Sequence, residues 1–259
     1  MIGIFDSGVG GISVMREIVK LLSNEDVLYV ADSAHCPYGN KTAGEVLRLS
    51  QNIVRFLMDK HCKIIVVACN TATSAAIDFL RKQYPDFPFV GMEPAVKPAT
   101  HASQRRRIGV LATEGTLHGR LFQQTVQQYA QDVDVQIVVG AGLVELVEAG
   151  KEDTQEAIDV LKNLLQPLMD KEIDCLVLGC THYPFLRASI ENITKGKIAI
   201  IDSAMPVALQ TKRIMEEQRL FVAEKHSPAY HFYTSGDSAV LQRMQDRYLH
   251  LHNVSYAKF

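Results

Sequence analysis

Along the chain, short β-branched apolar runs alternate with longer stretches in which apolar residues recur at helical spacing. The runs predict strands at Ile2–Phe5, Val27–Ala31, Lys63–Ala68, Phe89–Gly91, Ile108–Ala112, Val135–Val139, Asp174–Gly179 and Ile198–Asp202. The helices between them have recognisable starts. Thr42-x-x-Glu45 has the capping-box form ahead of the stripe Val46, Leu47, Ile53, Val54 and Leu57. Asp153-x-x-Glu156 plays a similar part before Ile158, Leu161, Leu164, Leu165 and Leu168. Strands that are apolar on both faces and separated by helices predict parallel sheets with helices on either side.

The strand order repeats. Ile2-Gly-Ile-Phe-Asp-Ser-Gly resembles Ile108-Gly-Val-Leu-Ala-Thr-Glu-Gly, 106 positions on, and Val27-Leu-Tyr-Val-Ala resembles Val135-Gln-Ile-Val-Val at 108. The runs ending in Cys69-Asn-Thr and Cys180-Thr-His lie 111 apart, as do Phe89-Val-Gly-Met and Ile200-Ile-Asp-Ser. Four strand ends in nearly constant register predict two copies of one unit. The expected fold is α/β: two pseudo-symmetric three-layer domains with mostly parallel sheets and the active site in the cleft between them. Residues 1-92 plus 208-259 form one domain in this reading, and 93-207 form the other. The tail after about Ala208 has no counterpart, so a helix–strand–helix return onto the first half is expected.

Composition narrows the partners. With 27 Lys+Arg against 29 Asp+Glu, the formal charge of −2 offers no footprint for nucleic acid or an anionic membrane surface. Apolar stretches such as Ile64–Cys69 are strand-sized, against the roughly 18–20 residues of a membrane helix. The start, Met1-Ile-Gly-Ile-Phe-Asp, lacks the basic and long apolar regions of a secretory signal. Five cysteines in 259 residues argue against a disulfide framework and for a reducing compartment, so a cytoplasmic location is expected.

In open parallel sheets, ligands sit at the carboxyl ends of strands, where following helices present free N–H groups. This chain places there Asp6-Ser7, Asp32-Ser33, Cys69-Asn70-Thr71, Thr113-x-x-Thr116 and Cys180-Thr181-His182. Hydroxyls, amides and helix N-termini suit a small polar anion, and facing copies of the unit put one cysteine on each side of it. Two opposed thiols can invert a carbon centre: one removes a proton from one face while the other delivers a proton to the opposite face. A helix N-terminus lowers a cysteine pKa, which predicts an available thiolate at both positions. His182 and Asp6 are candidate groups for the accompanying proton traffic. Cys36, Cys62 and Cys175 read as packing.

Two other patterns point elsewhere. Gly8-Val-Gly10-Gly-Ile-Ser13, with Asp32 at the next strand end, carries most of a dinucleotide fingerprint. Ser13 replaces its third glycine, and Asp6-Ser7 intrude where the turn should be bare, so a glycine turn for tight strand–helix packing is expected instead. Neither Cys180-Thr-His182 nor His35-Cys36 has the spacing of a zinc motif, and no metal site is expected. Arg105-Arg106-Arg107 reads as a solvated loop before a strand.

Read together, the strand-end motifs resemble those of the glutamate racemase family. The matching stretches are Ile4-Phe-Asp6-Ser7-Gly8-Val-Gly10-Gly, Tyr29-Val-Ala-Asp32-Ser-Ala-His-Cys-Pro37-Tyr38-Gly39, Val66-Val-Ala-Cys69-Asn70-Thr71-Ala, Glu93-Pro-Ala-Val-Lys-Pro, Gly109-Val-Leu-Ala-Thr113-x-x-Thr116, Leu176-Val-Leu-Gly-Cys180-Thr181-His182-Tyr-Pro-Phe and Ile201-Asp-Ser. The resemblance implies cofactor-independent interconversion of L- and D-glutamate, supplying D-glutamate for peptidoglycan. It implies that Cys69 acts on the D-enantiomer with Asp6 assisting, and Cys180 on the L-enantiomer with Glu148 and His182 assisting. Substrate binding would fall to Ser7, Pro37, Tyr38, Gly39, Asn70, Thr71, Thr113, Thr116 and Thr181. A homodimer is implied as well. The sequence departs from the family where Cys-Pro is frequent ahead of Leu146-Val-Glu148 and Gly140-Ala141 stand instead, which leaves the anchoring of Glu148 open.

Three other readings fit parts of the sequence. One is a two-cysteine racemase or isomerase for aspartate or a related small acid. Another is a non-catalytic small-anion binder, which has no use for paired thiols. The third is a nicotinamide oxidoreductase, which would bind NAD(H).

Overall fold

The computed structural model describes every residue except Lys225. All the strands expected from the sequence form, to within one residue at either end: β1 Ile2–Asp6, β2 Val27–Ala31, β3 Ile64–Val67, β4 Phe89–Val90, β5 Arg107–Ala112, β6 Asp134–Val139, β7 Cys175–Gly179 and β8 Ala199–Ile201. The first half carries helices α1 Ile12–Leu21, α2 Ala43–Asp59 and α3 Asn70–Gln83. Around the second sheet lie α4 Val96–Ala102, α5 Glu114–Leu117, α6 Arg120–Tyr129, α7 Leu143–Glu148, α8 Gln155–Asp170 and α9 Arg187–Thr194. The tail supplies α10 Ala204–Glu217, β9 Tyr230–Thr234, α11 Ser238–Tyr248 and β10 Val254–Lys258.

Two parallel sheets result, ordered β10-β9-β2-β1-β3-β4 and β6-β5-β7-β8. The order β2-β1-β3-β4 recurs as β6-β5-β7-β8, and the register recurs with it. Ile2 pairs with Val27 and Ile64, and Ile108 pairs with Val135 and Cys175. Ile65 pairs with Phe89, and Leu176 with Ile200. The sequence displacements are thus displacements between equivalent ladder positions. The tail does return to the first sheet, but with one strand more than expected, because β10 extends the edge beyond β9.

Alternation of side chains across each strand builds three layers. Ile2, Ile4 and Tyr29 face the core shared with α1 and α10, whereas Phe5, Leu28 and Val30 face that of α2 and α3. Ile108, Val110 and Val177 pack toward α4 and α6, and Leu176 and Leu178 toward α8 and α9. Each side chain so buried contributes about 1.5–3 kcal/mol. The layer holding Ile4 and Val9 is continuous with the one holding Leu178 and Cys180, so the two sheets share a core beside the strand ends.

Caps fix where the helices start. Thr42 accepts from the Glu45 N–H at 3.3 Å, as its motif predicts. At α8 the cap falls one residue later than expected: Thr154 accepts from Ala157 N, and Asp153 instead pairs with Arg247 of α11. Arg105 and Arg106 are exposed, and Arg107 opens β5.

Candidate active site

Cys69 follows β3 and caps α3, its Sγ 3.4 Å from the Ala72 N–H and 3.9 Å from Ser7 Oγ. The thiol stands at the helix N-terminus, as expected, but the pKa consequence is reversed. Burial pushes Cys69 well above the usual thiol range and the Asp6 carboxylate adds to this, outweighing the Ala72 N–H and Ser7. Asp6 ends β1 fully buried. Its Oδ2 accepts from Gly11 N at 2.8 Å and from Thr181 Oγ1 at 3.4 Å, while Oδ1 has no partner. Burial raises its pKa, partly offset by His182 and the Gly11 N–H.

Cys180 follows β7, the counterpart of β3. Its Sγ lies 3.7 Å from His182 Nδ1, and His182 Nε2 lies 2.7 Å from Glu148 Oε1. Burial opposes charge on His182, but hydrogen bonds with Cys180, Cys36 and Glu148 outweigh it and hold the imidazole well above its ordinary pKa. Glu148 is likewise opposed by burial, yet His182, the Val9 N–H and Cys36 bring it below the usual value. The Val9 N–H donates to Glu148 Oε1 at 2.7 Å, and Arg243 of α11 donates to the Glu148 carbonyl at 3.1 Å. Glu148 is therefore anchored from both sides despite the departure at Gly140-Ala141. At that departure the Tyr183 hydroxyl donates to Gly140 O at 3.1 Å, where a Cβ on residue 140 would overlap it.

The glycine turn after β1 has a different purpose from the one expected. Gly11 does permit close packing inside the first half, against Asp6 and Tyr29. Gly8 and Gly10, however, receive Glu148 and the Thr181-His182 pair, with no room for a Cβ at either. Ser13, which breaks the dinucleotide fingerprint, sets its hydroxyl 2.8 Å from Gly10 O and 3.0 Å from Thr181 O. Asp32, the residue a ribose would need, is occupied: Tyr38 donates to its Oδ2 at 2.6 Å, and Ser235 to Oδ1 at 2.7 Å. The turn is bare because another part of the chain fills it.

Between the sheets, Thr71, Thr113 and Thr116 form a closed set of hydroxyls 3.0 to 3.4 Å apart. They join the start of α3 to that of α5 and form one wall of a narrow cleft. The free space in it is about 10 Å³, against ~300–1,000 Å³ in ordinary ligand pockets, so the walls are drawn together and must part to seat an amino acid. Every candidate residue except Asp6 and Glu148 lines it, Cys69 and Cys180 included. Asp6 and Glu148 stand behind, in contact with Thr181 and His182 respectively. Asn70, 4% exposed, is among the lining residues, and neither of its amide atoms has a hydrogen-bond partner.

Two residues were not legible as site residues. Val144 lines the cleft from α7. Cys36, expected to be packing, sits half-buried with its Sγ 3.7 Å from Glu148 Oε1. Burial lifts its pKa to about 11 even with His182 beside it. Nothing local marks that contact, since the partners are 112 positions apart. Among the described residues no helix is long and apolar enough to cross a membrane.

Two parallel sheets of the same strand order thus each place a thiol at an equivalent strand end, and both thiols line one cleft. The chain belongs to the Asp/Glu/hydantoin racemase family, whose model matches residues 2–210. Its similarity within that family runs to glutamate racemases. The glutamate racemase of Ectopseudomonas mendocina is 44% identical over 244 residues, covering 94% of this chain and 91% of its own length. A glutamate racemase of Bacillus anthracis superposes with a TM-score of 0.89 at 31% identity, covering 100% of this chain and 97% of that one. The Escherichia coli glutamate racemase, solved with L-glutamate and the activator UDP-MurNAc-ala, gives 0.89 at 30% identity, with the same coverage of both chains.

Proposed function

We propose that this protein interconverts L- and D-glutamate without a cofactor, using two cysteines on opposite faces of the α-carbon. The observation that carries this reading is the convergence of Cys69 and Cys180, at equivalent strand ends of two related sheets, on one small cleft. In the L-to-D direction Cys180 takes the α-proton of L-glutamate and Cys69 delivers its own proton to the opposite face. In the reverse direction the roles exchange. Burial and Asp6 keep the proton on Cys69, which suits it to the donor role with L-glutamate. Asp6 assists Cys69, while His182, backed by Glu148, exchanges protons with Cys180. The substrate is held by Ser7, Pro37, Tyr38, Gly39, Asn70, Thr71, Thr113, Thr116 and Thr181. The unpartnered Asn70 amide supports a ligand that satisfies it.

In this reading residues 1-92 with 208-259 make one domain and 93-207 the other, so closure of the cleft is a relation between domains. The product serves peptidoglycan synthesis in the bacterial cytoplasm, and the working form is a homodimer. The test is D-glutamate in deuterated buffer with no added cofactor, followed by circular dichroism and α-deuterium incorporation. Decay of the optical signal with deuterium entering the L-product is expected; racemisation of aspartate in place of glutamate would overturn the substrate. Cys69→Ser and Cys180→Ser should each abolish racemisation, and a near-normal rate in either removes the two-thiol mechanism.

A further inference from the structure

Cys36 is a thiol beside the cleft for which the two-thiol mechanism has no task. It comes from the loop after β2, Glu148 from the end of α7, and His182 from the turn after β7. One donor atom from each, Sγ, a carboxylate oxygen and an imidazole nitrogen, lies within 4.8 Å of the others. Cys36 is half-buried and the Glu148 side chain is 19% exposed, so the cluster is reachable from solvent, with His182 closing its inner side.

We propose that Cys36, Glu148 and His182 form an inhibitory site for a thiophilic divalent cation, with Zn²⁺ the best fit. The mixed S, N and O donor set favours a borderline-soft ion over Mg²⁺ or Ca²⁺, which take oxygen. Standard Zn–S, Zn–N and Zn–O lengths in a tetrahedron put S and O ~3.6 Å apart and N and O ~3.4 Å apart. The Cys36–Glu148 separation of 3.7 Å already matches. The Glu148–His182 separation of 2.7 Å has to open by several tenths of an ångström. On binding, the Cys36 S–H proton and the His182 Nε2 proton leave to solvent. Bonds form from Sγ, Nε2 and the Glu148 oxygen to the ion, which sheds five of its six waters and keeps one; no group is oxidised or reduced. With Nε2 on the ion, the imidazole holds its remaining proton on Nδ1, facing Cys180, and can no longer accept a second one from that thiol. The inhibitory consequence rests on the proposed role of His182 beside Cys180; the binding itself does not.

The experiment uses the full chain in chelator-treated buffer. Zn²⁺ is titrated against glutamate racemisation, and Co²⁺ against the near-ultraviolet absorption of a thiolate–cobalt bond. Micromolar Zn²⁺ should inhibit, with recovery on EDTA. Measured against each variant's own metal-free rate, Cys36→Ala, with Cys36→Ser as a second variant, should raise the half-inhibiting Zn²⁺ concentration by about tenfold or more. The cobalt band should vanish in both Cys36 variants and persist in Cys69→Ser and Cys180→Ser. Unchanged inhibition of the Cys36 variants, or a cobalt band that survives without Cys36, overturns the site by assigning the metal to the cleft thiols. Racemisation indifferent to Zn²⁺ overturns the site and not the function. Absence of racemisation with Cys36-dependent cobalt binding overturns the function and not the site.

Discussion

Glu148 Oε1 lies 2.7 Å from His182 Nε2, and the pair is held on the bare backbone of the Gly8–Gly10 turn. Each partner shifts the other toward its charged form, against burial. For His182, the folded pKa is above the ordinary 6.5, so its contribution is complete below 6.5 and is lost as pH rises through the folded value. For Glu148, the folded pKa is below 4.5, so its contribution is complete above 4.5 and is lost as pH falls through the folded value. Both are fully present between those two values. Glu148→Gln is therefore expected to lose about 1.5–3 kcal/mol of stability at pH 5.5–6, with the difference narrowing in alkali. Denaturant unfolding at both pH values checks this, and a difference independent of pH contradicts it.

Asp6 acts on Cys69 through its charge. Asp6→Asn removes that charge and should lower the pKa of the Cys69 thiol while slowing racemisation. The check is the pH profile of alkylation at Cys69, followed by mass spectrometry of its peptide. A profile that stays in place or moves upward rules out the electrostatic link.

Gly10→Ala puts a methyl group where His182 and Thr181 already lie. Overpacking of this kind costs about 1–3 kcal/mol, and here the displaced groups are those beside Cys180. Reduced kcat together with a lower melting temperature is expected. Full activity in the variant would mean that the turn yields without moving His182.

The threonine set makes a separable prediction. Thr116→Val keeps the volume and removes one hydroxyl from the Thr71–Thr113–Thr116 group. Loss of a hydrogen bond worth about 0.5–1.5 kcal/mol should raise KM for glutamate by up to about tenfold and change kcat less. Steady-state kinetics in both directions distinguish this from a catalytic defect.

The tail holds the α7 loop. Arg247 Nη1 and the Tyr248 hydroxyl reach the buried Glu152 Oε1 at 2.9 and 3.0 Å. Tyr248→Phe leaves a buried carboxylate oxygen with one partner fewer, and a loss of about 1–3 kcal/mol is expected in denaturant unfolding. An unchanged midpoint would show that Arg247 alone satisfies Glu152.

What could be read from the sequence follows from where the information lies. β1 and β3 are buried on both faces, and their apolar runs announce them without context. β10 was not legible because Val254-Ser-Tyr-Ala-Lys is a half-exposed edge with no continuous apolar run. Ser7, Cys69, Asn70, Thr71, Thr113, Thr116, Cys180, Thr181 and His182 were legible because strand ends carry them within short motifs. Pro37, Tyr38, Gly39 and Glu148 were named only by resemblance; the anchors of Glu148 are Val9 and His182, on segments far away in sequence. The expectation of a lowered Cys69 pKa failed because a helix N-terminus can be recognised in sequence, whereas the depth of burial around it cannot.

The pairing of β9 with β2 also bears on how the molecule is made. β1 to β4 are complete by residue 90, yet β2 pairs with β9, which begins at Tyr230. On the ribosome, the β5–β8 sheet is synthesised without interruption and has all its strands by Ile201. The β2 edge meanwhile waits with unpaired N–H and C=O groups, which an edge strand normally has to guard. The half that emerges first is thus the half that is finished last.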